Sequence, residues 1–190
     1  MRKSLSTPNN CSKQNIPLSL ASALTALVIA SNVHAAGATS VATATSISPI
    51  AVAASQVLSF GRFVPAVGAT TLTISNSGVR TGTGAIILSN TQAAYSAARF
   101  DVSGEANATY SITHSGAAVL TAVAPAAGAT MALTKTSDFS ASNATTTNVA
   151  AGTLGATGLQ SIYVGGTIAV AASQAPGTYT GDVTITVEYN

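Results

Sequence analysis

The last fourteen residues, Gly177-Thr-Tyr-Thr-Gly-Asp-Val-Thr-Ile-Thr-Val-Glu-Tyr-Asn190, constrain the fold of this chain more than any other stretch. Val183, Ile185, Val187 and Tyr189 fall on one side of a strict alternation. Asp182, Thr184, Thr186 and Glu188 fall on the other. A period of two belongs to a β-strand with one face buried and one in water. Each apolar side chain contributes about 1.5–3 kcal/mol if fully buried. The strand therefore needs a core to lie on, or another chain to pair with along its edge.

The same period recurs upstream, with no convincing helical window. Val41 to Val52 is strand-like but interrupted by Pro49, which suits an edge or bent strand. Within it, Ile47 falls on one alternate face and Ile50 and Val52 on the other. Leu58 and Phe60 share a face in a short run ending at Pro65. Further alternating runs centre on Leu72 and Ile74, on Ile86 to Leu88, on Phe100 and Val102, and on Tyr110 and Ile112. Others hold Val119 to Val123, Met131 to Phe139 and Leu159 to Ala172. The Thr-, Asn-, Ala- and Gly-rich stretch from Ser140 to Gly158 reads as a long loop, and Gln174-Ala-Pro-Gly177 as a turn. This is the spacing of an all-β sandwich of about nine or ten short strands.

Charge narrows the function. Only 6% of the 190 residues are charged, against about 25% in an average domain. The 7 Lys+Arg form no run, which excludes a nucleic-acid binder working through a basic patch.

The N-terminus reads as an address. Arg2, Lys3 and Lys13 precede an apolar run from Leu18 to Ala30, too short for a bilayer span of about 20 residues. Val33-His-Ala35 places small residues where a signal peptidase reads, so residues 1–35 are expected to be a secretory signal cleaved after Ala35. The expected mature chain, 36–190, is a single domain and is exported. Its cations are Arg62, Arg80, Arg99 and Lys135. Its acids are Asp101, Glu105, Asp138, Asp182 and Glu188, leaving a net charge of −1. Cys11, the only cysteine, leaves with the signal, so no disulfide is expected.

Residues that could carry chemistry are sparse. His114 is the only histidine of 36–190. A zinc site needs three or four ligands, and a serine hydrolase needs a base and a carboxylate beside its nucleophile. His114 is expected at a strand end facing water. Asp101 and Glu105 flank an expected turn and read as a solvated hairpin end rather than a carboxylate pair for glycoside cleavage. Gly82-Thr-Gly84 lacks the lysine of a phosphate loop and reads as a turn. No catalytic residue, cofactor or metal is expected, and the chain is not expected to be an enzyme.

The ending resembles that of chaperone–usher pilus subunits, which have a glycine fourteenth from the C-terminus and a penultimate aromatic. Gly177 and Tyr189 hold those places here. Leu58-Ser-Phe-Gly-Arg-Phe-Val-Pro65 is similar to the L-x-F-G segment of spore coat U and related secreted families. The layout from Ala42-Thr-Ala-Thr45 through Leu58–Pro65 to Ala175–Gly181 looks most like the bacterial domain-of-unknown-function 4402 (DUF4402) family, over nearly all of 36–190. The resemblance implies an immunoglobulin-like, pilin-like sandwich that lacks one strand. The missing strand leaves a groove, filled first by a periplasmic chaperone and then by the N-terminal segment of the next subunit.

Carried over, the resemblance marks Gly177, Tyr179, Val183, Ile185, Val187 and Tyr189 as the assembly strand, with Leu58, Phe60 and Gly61 as the family motif. The expected function is an exported structural subunit of a fimbria-like or surface-coat fibre, assembling by β-strand addition. Its partners would be copies of itself or related subunits, a periplasmic chaperone and an outer-membrane usher. The alternative is a monomeric secreted or periplasmic binding module with a complete sandwich.

Overall fold

A computed structural model describes residues 36–91 and 93–190. Residues 1–35, with the expected signal and its cleavage site at Ala35, lie outside the described residues. Residues 36–43 carry no regular secondary structure and are exposed.

Residues 44–190 form an all-β unit. Its strands are β1 (Ala51–Gln56), β2 (Arg62–Val64), β3 (Thr70–Ile74), β4 (Arg80–Gly82), β5 (Ile87–Ser89), β6 (Ala98–Ser103), β7 (Thr109–Gly116), β8 (Val119–Pro125), β9 (Thr130–Asp138), β10 (Ala151–Thr153), β11 (Leu159–Val170), β12 (Gly177–Thr180) and β13 (Val183–Tyr189). These thirteen exceed the nine or ten expected because β4 and β10, three residues each, do not read as strands, and because the terminal run divides into β12 and β13. Strands so short are held by backbone pairing and show too little alternation to be read from side chains.

Two expectations are corrected. β10 lies within the stretch 140–158 that reads as a loop, because Ala151–Thr153 pairs with Ser111–Thr109 of β7. The first strand starts at Ala51 rather than Val41. Pro49 has no N–H to give a ladder, and regular pairing begins only beyond it.

β11 organises the unit. One of its edges pairs with β6 along Leu159–Val164 and then with β3 along Gly166–Val170. Its other edge pairs with β9 along Tyr163–Ile168. At the hand-over from β6 to β3, the Gly165 N–H donates to Asn76 Oδ1 at 2.9 Å, and Thr136 Oγ1 donates to the same oxygen at 3.2 Å. A side-chain amide thus fills the gap in the ladder. The large sheet runs β1-β6-β11-β9-β8-β12, with β3 and β4 attached through β11.

Two smaller layers face this sheet and make two adjoining cores. The three-stranded sheet β10-β7-β13 covers the first half of β11. There Phe100, Val102, Ile162 and Val164 pack against Tyr110, Ile112 and Ile185. The two-stranded ribbon β2-β5 lies over the second half, where Leu72, Ile74, Met131, Leu133, Ile168 and Val170 are buried. In the ribbon's register Phe63 faces Leu88, and both pack on this second core. Val64 and Ile87, the next pair, are exposed. Leu58 touches both cores and sits over Gly166, where a Cβ would come within 3.3 Å of its methyl group.

Candidate functional site

The second facing layer is incomplete beside the ribbon. A groove of about 810 Å³ opens there onto the second core. Its floor includes Leu120, Met131, Leu133 and Ile168. One wall is the segment Leu58–Phe63, which runs into β2. The other is Ala175–Gly181, which contains β12, together with Val183 at the start of β13. Among the described residues β2 pairs only with β5, and β12 only with β8. Each wall therefore carries a strand with one ladder partner beside an apolar floor, an arrangement that can accept an added strand.

The turn before β12 is held by side chains. Gln174 Oε1 accepts from Ala171 N–H at 3.1 Å, and Gln174 Nε2 donates to the Tyr179 hydroxyl at 2.8 Å. That hydroxyl donates to Ala175 O at 2.7 Å. Tyr179 thus fixes the wall it belongs to.

The residues marked by the sequence divide into two groups. Gly177, Tyr179 and Val183 line the groove, as do Leu58, Phe60 and Gly61 opposite, and Val183 also packs on the margin of the first core. Ile185 is buried in the first core, and Val187 and Tyr189 pack against that core, outside the groove lining. The Tyr189 hydroxyl accepts from Glu105 N–H at 2.6 Å and donates to Ser48 O at 2.8 Å. The family motif has a conformational basis. Gly61 has φ +67, and a Cβ there would lie 2.7 Å from Arg80 Nη1.

Arg80 is a residue that sequence reasoning passed over. Its Nη1 donates to Phe60 O (3.1 Å) and Arg62 O (3.2 Å), and its Nη2 to Ser89 O (2.7 Å) and Asn90 Oδ1 (2.9 Å). The guanidinium lies 4.2 Å from the Tyr95 ring centroid, within range of a cation–π contact. All four acceptors are neutral oxygens, so this cation holds backbone rather than balancing an acid. The available signal was scarcity: with four cations in 36–190, each is a candidate for a dedicated structural contact.

The remaining polar groups are fastened to the fold. His114 is half-buried in β7, not at a hydrated strand end. Its Nε2 lies 2.8 Å from Val149 O and 3.1 Å from Ser137 Oγ. A carbonyl can only accept, so Nε2 carries the proton. Ser137 is fully buried and its hydroxyl also accepts from Val149 N–H. The pair pins the 140–150 segment and presents no nucleophile to solvent.

Asp101 is held below the usual carboxylate value by a 2.7 Å hydrogen bond from Ser161, with Ser55 and Arg99 adding to it against the smaller opposing effect of burial. Hydrogen bonds from Ser142, then Phe139 N–H and Ser140, do the same for Asp138. Burial pushes Tyr110 up to about 12 and lowers Lys135, whose ammonium donates to Ser115 O and Ala117 O. Among the described residues no group of three or more His, Cys, Asp or Glu could hold a metal ion.

Neither a curated protein nor a solved structure matches the chain. A family model does match, from residue 50 beside β1 to residue 189 at the end of β13, and on that span the chain belongs to DUF4402, a domain of unknown function.

Proposed function

We propose that this protein is an exported structural subunit of a fimbria-like or surface-coat fibre, assembled by β-strand addition. The observation that carries the reading is the groove: two strands with one ladder partner each, among the described residues, flank an apolar floor left open by an incomplete layer. One strand laid between β2 and β12 would bond on both sides and cover that floor. It would join the ribbon to the large sheet in the order β5-β2-strand-β12-β8. Burial of its apolar side chains and pairing of its backbone would make the joint long-lived.

The proposed occupant is the segment 36–48 of a second copy. These residues form no strand in their own unit and are exposed, with Val41 at 88% and Ile47 at 55%. They lie outside the matched domain, which begins after Pro49. Read alone, without Ile50 and Val52, the segment has a consistent face: Val41, Thr43, Thr45 and Ile47 share one side of an alternation. Ile50 and Val52 pack on the first core of their own unit, beyond the break at Pro49.

Ser48 is tied to Tyr189, at the far end of β13 from the groove. The seven residues of β13 span about 20 Å at the usual strand rise. Extended, the thirteen residues 36–48 reach about 40 Å at the same rise, so a neighbouring copy is the proposed acceptor because it builds a fibre, not because the segment's own groove is out of reach. Within this reading the spore coat U and chaperone–usher resemblances apply to mode of assembly. A periplasmic chaperone would cover the groove first, and an outer-membrane usher would release the fibre.

The test is size-exclusion chromatography and negative-stain microscopy of 36–190, as wild type and as Val183→Asp. Filaments from the wild type and folded monomers from the variant are expected. Equal filaments from both would remove the groove from assembly. A wild type that stays monomeric at every concentration would favour a binding module.

A further inference from the structure

β2 of the ribbon contributes Arg62 and Phe63 to one wall of the groove, yet among the described residues no ladder joins the ribbon to the large sheet or to the three-stranded sheet. Just upstream, the chain is anchored by the Ser59–Ser96 bridge, with both backbone N–H groups bonded at 2.8 and 2.9 Å. Beyond that point the ribbon rests on Phe63 and Leu88 below and on Arg80 beside it.

We infer that Arg80 is the positioning residue of the assembly groove, holding the ribbon where an incoming strand can bond to β2 and β12 together. The inference rests on the strand-addition reading and deepens it. The guanidinium reaches both strands of the ribbon side: Phe60 O and Arg62 O on the chain entering β2, and Ser89 O and Asn90 Oδ1 on the chain leaving β5. A planar fork with several fixed donors can span two pairs of acceptors, which a single ammonium cannot. Gly61 completes the device. Its left-handed conformation turns the chain, and its missing side chain leaves room for Nη1.

Arg80 sits on β4, which pairs with β3 and, through it, with β11. It thus ties a ribbon that shares no ladder with the large sheet to a strand that does. Without it, the ribbon would keep its apolar contacts but lose its fixed separation from β12. The free edge of β2 would then no longer lie in register for a strand bonded to β12.

The test uses the chain 36–190 as wild type, Arg80→Gln and Arg80→Lys, each kept monomeric below its assembly concentration so that the groove is open, with an excess of a synthetic peptide of residues 36–49 as probe. Two readouts are taken together: peptide affinity, and amide hydrogen exchange of the ribbon compared with β6 and β11. Both variants are expected to bind the peptide about 10- to 100-fold more weakly. Ribbon amides should exchange faster by a similar factor, as the loss of charge-assisted hydrogen bonds implies. Exchange in β6 and β11 should be unchanged.

Full rescue by Arg80→Lys would overturn the inference, because charge rather than the fork would then suffice. Unchanged ribbon exchange in Arg80→Gln would overturn it as well. Global loss of protection in both variants would do the same, since Arg80 would then support the whole fold rather than the groove. If the wild type itself takes up no peptide, the strand-addition reading fails. Local ribbon exchange still reports separately whether Arg80 holds the ribbon.

Discussion

The Tyr189 hydroxyl accepts a hydrogen bond from Glu105 N–H at 2.6 Å, so the end of β13 is fastened to the turn between β6 and β7. Its own proton goes to Ser48 O at 2.8 Å, and Ser48 N–H in turn donates to Glu105 Oε2 at 3.1 Å. Gly104 lets the phenol approach, since a Cβ there would overlap it. One aromatic side chain therefore fixes where the N-terminal segment leaves the domain. Tyr189→Phe should lower stability by about 1 kcal/mol, because Ser48 is exposed and water can replace part of the bonding. Urea unfolding at neutral pH measures this directly.

Substitutions along the last strand should separate folding from assembly. Val183 is half-buried, lines the groove and touches only the margin of the first core, whereas Ile185 is 5% exposed within that core. Val183→Asp should leave a folded monomer that does not assemble. Ile185→Asp should destabilise the domain by several kcal/mol, about the loss of a buried side chain plus an unpaired buried charge. Circular dichroism beside chromatography distinguishes the two outcomes.

Asn76 carries the ladder across the junction of β6 and β3. Asn76→Ala would leave the buried Gly165 N–H without its acceptor, at a cost of about 1–3 kcal/mol. Asn76 Nδ2 is itself buried with no partner, so its removal should offset part of that cost. The urea midpoint gives the net change. Hydrogen exchange at Gly165 should show the largest local effect.

Acid should weaken the fold through Asp101 and Asp138. Both are held below the unfolded value by hydrogen bonds. The unfolded chain therefore binds more protons than the folded one as pH falls toward those values. Their contribution is fully present above about pH 5 and is lost as pH drops below about 4 and through the folded values. Asp138→Asn should flatten that dependence. Urea midpoints at about pH 3 and pH 7, compared between wild type and variant, check the sign.

Much of the architecture is legible in residue order. The alternations at Leu72 and Ile74, at Phe100 and Val102, and from Val183 to Tyr189 all become strands, because each buries one face on a core. What escapes is structure held by backbone alone. β4 and β10 bury almost nothing: β4 is the return strand of a short hairpin from β3, and β10 pairs with β7 far back along the chain. The site is legible in part for the same reason. Gly177, Tyr179 and Val183 form one wall, but the terminal run changes from groove to first core at Val183, the start of β13, which touches both. For Arg80 the sequence offers only the scarcity of cations; its contacts cannot be read there because its acceptors are mostly main-chain carbonyls, which carry no residue signature.

The most direct test of strand addition is a truncation that removes only residues 36–49, stopping before Ile50 and Val52 enter the first core. The truncated chain should fold with stability lowered by no more than about 1 kcal/mol, through loss of the Ser48 contacts to Tyr189 and Glu105; it should stay monomeric and bind a peptide of residues 36–49 at one-to-one stoichiometry, while 36–190 forms filaments. Filaments from the truncated chain, or a failure of its groove to take up the peptide, would contradict strand addition by this segment.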